Sequence, residues 1–192
     1  IKTGDYNKMI AHTWFPLLKN RNELVWIDDE GIISDIKPDR RLLDIPSSDN
    51  FSTKIWKRSK SFKFNGKKRN IKLIFAAHCE DGKLAEQDVK GIAIYRSGMH
   101  VMNISHRQIP KEIMDKIYGY VEVDSSIEKE LRNVEDPTHY HFDLSKGLPK
   151  KLRAYIDTEM MAFAKEKLGM HEFDEENRSR KESEARRSSL AM

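Results

Sequence analysis

The sequence has little that would fix its structure covalently or tie it to a membrane. Its 192 residues include one cysteine, Cys79, so no intramolecular disulfide can form and a reducing, cytoplasmic setting is expected. No apolar run approaches the roughly 18 residues that cross a bilayer. No basic segment followed by an apolar stretch opens the chain as a secretion signal would. It begins with Ile1 rather than Met, which is expected of a processed chain or a piece of a longer one. Also missing are a glycine-rich phosphate loop, a Cys-x-x-Cys pair, a His-Glu-x-x-His helix and any internal repeat. The chain therefore carries no self-sufficient catalytic signature.

Neither charge sign dominates. Lys plus Arg number 35 against 31 Asp plus Glu, a net charge of +4, too mild by itself to imply a nucleic-acid protein. Hydrophobic residues make up 38% and charged ones 34%, enough for one buried core under a polar surface.

Met9, Ile10, Trp14, Leu17 and Leu18 recur at helical spacing, with Pro16 straining the end of that helix. "ELVWIDDEGIISDIKP" reads as a β-hairpin, and Arg40 to Asn50, with Pro46 and a Ser-Ser-Asp-Asn cluster, as a loop. Asn65-Gly66 between two β-prone runs predicts a second, tighter hairpin. Strands follow at Gly91 to Tyr95 and His100 to Ile104, and Pro110 opens a short helix. "YGYVEVD" reads as a half-buried strand with Tyr118, Tyr120 and Glu122 on one face and Gly119, Val121 and Val123 on the other. Between Leu148 and Leu168, Leu152, Tyr155, Ile156, Met160, Phe163 and Ala164 keep helical period, with Gly169 as a stop signal. These elements predict an α+β domain over residues 1–170: a mostly antiparallel sheet with helices packed on one face. The polar stretch 171–192 is expected to be a frayed helix or disordered tail.

The sharpest charge asymmetry runs from Lys54 to Lys72. Lys57, Arg58, Lys60, Lys63, Lys67, Lys68 and Arg69 occur there without an acidic residue, interleaved with Trp56, Phe62 and Phe64. Cations attract phosphates and rings stack on bases, so this pattern suits a nucleic-acid surface. It equally suits an edge hairpin whose lysines deter aggregation while its rings face the core. Arg107, in the connector Ser105 to Gln108, is a further candidate for meeting nucleic acid or another domain.

His139 and His141 in "EDPTHYHFD" stand two apart, on one face of an extended backbone, with carboxylates close by. That is compatible with metal ligation or with a hydrogen-bonding loop. His78 and Cys79, adjacent in a strand, point to opposite faces and make a poor base and nucleophile pair.

Taken in order, "IAHTWFPLL", "ELVWID", "VKGIAIYRSGMHVM", "YGYVEVD" and "EDPTHYHFD" before a long helix resemble the transducer domain of GHKL-type ATPases. That superfamily includes gyrase B subunits, mismatch-repair ATPases, heat-shock chaperones and MORC-like proteins. The resemblance spans roughly Lys8 to Leu168 and rests on short phrases and their order. It implies a small-ribosomal-protein-like fold that follows an ATP-binding domain in the same parent chain and sends a cationic loop toward the γ-phosphate. Lys146 is the best-placed cation for that contact and His141 its substitute, since histidines stand where related ATPases often carry lysine. The resemblance further implies a chain that binds no cofactor by itself, with ATP and magnesium held elsewhere in the parent, a parent homodimer, and DNA as a possible partner. A freestanding nucleic-acid-binding domain built on hairpin 54–72 is the rival reading.

Overall fold

The computed structural model describes residues 3–20, 23–27, 30–31, 33–64, 66–80, 82–96, 99–123 and 143–170. Helix α1 (Thr3–Thr13) gives way at Trp14 to α2 (Phe15–Lys19). Pro16 has no N–H to continue the first helix but is tolerated in the first turn of the second, so one amphipathic segment becomes two. Strands β1 (Val25–Ile27) and β2 (Ile33–Asp35) pair antiparallel as the first hairpin.

The segment expected as a loop from Arg40 begins instead with a short helix, α3 (Arg40–Leu43). Asp39 caps it by accepting a hydrogen bond from the Arg41 N–H at 3.0 Å, and Leu42 is fully buried. The turn-rich composition of the next residues masked this cap.

The main sheet has the order β3-β4-β7-β5-β6. Strands β3 (Thr53–Phe64) and β4 (Lys67–His78) form a long hairpin, with Gly66 at φ +73° ahead of β4. Strands β5 (Gly91–Arg96) and β6 (Met99–Ile104) form another. A short helix α4 (Lys111–Met114) leads to β7 (Ile117–Val123), which enters between the hairpins, antiparallel to β4 and parallel to β5. The sheet is mostly antiparallel and the fold is α+β.

Read from sequence as half-buried, β7 is buried on both faces from Ile117 to Val121. The reason is that the helices, expected on one face, are divided between both. Helix α5 (Gly147–Lys167) lays Leu148, Leu152, Tyr155, Ile156, Met160, Phe163 and Ala164 against one face, where Leu73, Phe75, Ile92, Ile94 and Val121 meet it. On the other face Phe15 of α2 and Leu42 of α3 cover Ile74, Ala76, Ala93, Tyr95 and Tyr120. Ala11, Leu18 and Ile36 form a satellite cluster that joins the small hairpin to the first helices. No helix among the described residues is long and apolar enough to cross a membrane. The expected tail, 171–192, lies outside the described residues.

Candidate functional site

The β3–β4 hairpin runs past Val123, and among the described residues the pairing of β4 with β7 reaches as far as Ile71. Side chains alternate along it, so its cations separate by face. Trp56, Arg58, Lys60 and Phe62 share the face of α5 with their partners Phe75, Leu73, Ile71 and Arg69. There the indole Nε1 of Trp56 donates to Glu159 at 2.9 Å, and the Arg58 guanidinium stacks 3.9 Å above the Trp56 ring. Lys60 lies 4.9 Å from the Tyr155 ring centroid, and Phe62 packs edge-on against that ring. Burial pushes the Tyr155 phenol up to about 12. Arg69 is only 7% exposed.

Thus Trp56 and Phe62, the rings that suggested base stacking, are spent on the packing of α5, and Arg58, Lys60 and Arg69 go with them. Of the two readings the sequence left open, the rings follow the edge-hairpin one, because alternate residues on a strand must share a face with whatever covers it. The side chain of Lys67 lies outside the described residues, as does that of Phe64.

The other face of the hairpin carries Lys57, Ser59, Ser61 and Lys63 opposite Ile74, Lys72, Asn70 and Lys68. Ser61 donates its hydroxyl to the Asn70 amide oxygen at 2.6 Å. Glu122 of β7 pairs with Lys72 at 3.1 Å and with Lys19 of α2. Burial alone would raise the Glu122 carboxyl, but hydrogen bonds from Lys19 and Lys72 lower it. A cleft of about 320 Å³ beside this pair is lined by Phe15, Asn20, Tyr95 and Tyr120, and Lys19 donates to the Tyr120 hydroxyl at 3.0 Å across it.

No family model, no curated protein and no solved structure matches the chain.

The structure does not bring Arg107 to the hairpin. It is exposed in the connector after β6, at the opposite edge of the sheet and at the end away from the hairpin tip. Lys146 stands exposed as the residue that caps α5, and its carbonyl accepts the Lys150 N–H at 3.2 Å. Just before it, Asp143 accepts hydrogen bonds from the N–H (2.9 Å) and hydroxyl of Ser145, which lower its carboxyl. His139 and His141 lie outside the described residues, and no group of three metal-binding side chains occurs among the described ones.

A polar cluster that sequence reasoning missed lies beside α1, buried at Asp39 and His12 and open to solvent at Glu86 and Asp88. Arg41 binds Asp88 through both terminal nitrogens at 2.9 Å, Glu86 at 2.8 Å, and Asp39 at 2.6 and 2.9 Å. Burial would raise the Asp39 carboxyl, yet hydrogen bonds from His12 and Arg41 hold it well below the usual carboxylate range. His12, 5% exposed, lies with its ring centroid 4.6 Å from that of His100, and the Tyr95 hydroxyl donates to the His12 carbonyl at 3.2 Å. Burial also lowers His100 and pushes the Tyr95 phenol far above its usual range. Since Arg41 saturates the carboxylates, the cluster fastens α1 and α3 to the sheet rather than presenting a base. Its one sequence signal was the Asp39 cap; the rest depends on residues distant in the chain.

His78 stacks on Tyr118 with centroids 4.8 Å apart, and burial lowers it. Cys79 directs its sulfur to the Ala77 carbonyl at 3.8 Å, so the two do not pair.

Proposed function

We propose that the chain is the coupling module of a GHKL-type ATPase. In this reading it relays the nucleotide state of an adjoining ATP-binding domain, which holds ATP and magnesium, to a dimer interface or to DNA. The observation that carries the reading is the placement of Lys146. This exposed cation ends a stretch that leaves the central strand at Val123 and begins a 21-residue helix whose inward face is part of the main core. A phosphate drawing on that ammonium would pull on a helix that packs across the sheet, so a small displacement would be passed on as rigid-body motion. The resemblance adds support, because its phrases "GIAIYRSG" and "YGYVEVD" fall on β5 and β7, neighbours paired in parallel.

The test is steady-state ATP hydrolysis by the protein that carries this chain together with its ATP-binding domain. Lys146→Ala is expected to lower turnover about tenfold, as loss of one charge-assisted contact of roughly 1.5 kcal/mol would. Lys150→Ala, exposed one turn along the same helix, should leave turnover unchanged. Equal turnover in the wild type and Lys146→Ala would remove Lys146 from the coupling path.

A further inference from the structure

Beyond Ile74, which Phe15 and Leu42 cover, the outer face of the β3–β4 hairpin meets no covering element among the described residues, and its own residues do not complete it. Lys63 and Lys68 are direct cross-strand partners, an arrangement of like charges that destabilises a sheet. Both are exposed, and neither meets a carboxylate among the described residues. Lys57 is exposed on the same face and reaches only the Ser47 carbonyl, at 3.4 Å. The face's single described carboxylate, Glu122, is already engaged by Lys72 and Lys19. Between the cationic ends lie Ser61 and Asn70, small polar groups that present no bulk. From Lys57 to Lys63 the strand covers about 20 Å at roughly 3.3 Å per residue. Along a duplex axis that length spans about six phosphates of one strand at 3.4 Å of rise each, of which those on the near side of the helix face the ribbon.

We propose that this face, through Lys57, Lys63 and Lys68, binds the phosphate backbone of double-stranded nucleic acid without reading its sequence. The occupant follows from the chemistry. Among the described residues the face offers ammonium groups and no exposed ring, because Trp56 and Phe62 are turned to α5. Stacking on splayed single-stranded bases is thereby excluded on this face, while point charges along a flat ribbon match a regular row of phosphates. An anion between Lys63 and Lys68 also relieves their repulsion. Arg58, Lys60 and Arg69 take no part. The inference is independent of the coupling reading, since it needs neither ATP nor Lys146.

Fluorescence anisotropy of the 192-residue chain with a labelled duplex of arbitrary sequence tests it. Three neutralised phosphates give a log–log salt slope of about −2.7, so affinity should fall about 40-fold between roughly 50 and 200 mM salt. The double variant Lys63→Gln/Lys68→Gln should retain a slope of only about −1 and bind at least tenfold more weakly at the lower salt. Lys60→Gln, on the opposite face, should bind as wild type. The double variant keeps its fold because both side chains are exposed and lie beyond the described pairing with β7, and relief of the like-charge contact should leave its thermal midpoint equal or higher. An unchanged slope in the double variant, equal loss in Lys60→Gln, or binding to phosphatidylserine vesicles in the absence of duplex binding would each overturn the proposal.

Discussion

Replacing Gly119 by alanine should damage this fold more than any change of similar size. Gly119 sits in the central strand directly opposite Phe75, and a Cβ there would lie 2.3 Å from the Phe75 Cβ and 2.4 Å from the Ile74 carbonyl oxygen. Two of the nearest atoms are backbone, so no rotamer change clears the clash and β7 must move away from β4. The strand cannot move freely, because the fully buried Phe75 ring is held edge-on by Phe163 of α5 at 5.2 Å. Overpacking a tight core costs about 1–3 kcal/mol, and the rigid neighbours here place the cost near about 3. For a domain of this size, about 3 kcal/mol corresponds to a fall in Tm of roughly 6–12 °C. The check is chemical denaturation and calorimetry of Gly119→Ala beside Gly66→Ala. Gly66, at φ +73° with nothing within 4 Å of an added Cβ, should cost only the strain of that backbone, about 1 kcal/mol. If Gly119→Ala lost less than Gly66→Ala, the close approach of β4 and β7 would be refuted.

Two further outcomes follow from the packing. Phe163→Ala empties a fully buried site between Trp56 and Phe75 and should cost about 4 kcal/mol in urea denaturation; a loss under about 1 kcal/mol would mean that α5 does not seat there. Asp39→Ala removes the α3 cap and one partner of Arg41, with an expected cost of about 3 kcal/mol at neutral pH. Because folding depresses the Asp39 carboxyl, its contribution is present above the ordinary carboxylate value near about pH 4 and is lost as pH falls below it. The gap between wild type and Asp39→Ala should therefore narrow toward about pH 2, and a constant gap would refute the assignment.

Local patterns were legible in the sequence because they rest on neighbours. Asn65-Gly66 announced its hairpin, and the period of Leu152, Tyr155, Ile156, Met160 and Phe163 announced both the helix and the residues it buries. What the sequence could not convey was which faces are covered. Alternation in "YGYVEVD" described a strand with one wet side, but Phe15 and Leu42, from far upstream, cover that side. The hairpin cations posed the same difficulty. Their number was plain, yet only the pairing register and the position of α5 divide those stacked on rings from those facing outward. The Arg41 cluster gathers residues from α1, α3, β5 and β6, and no single window of sequence contains it.

The placement of β7 also governs how the chain folds as it is made. Both sheet hairpins are complete in the sequence before the strand that joins them. A growing chain that ends short of Ile117 thus holds two separate ribbons, each only marginally stable in water. The apolar sides of those ribbons stay exposed until β7 slides between them and α5 closes over the seam. That insertion joins partners distant in sequence, the kind of contact whose loop closure slows folding. Until it is complete, the unpaired edges of β4 and β5 are where one nascent chain would pair with another.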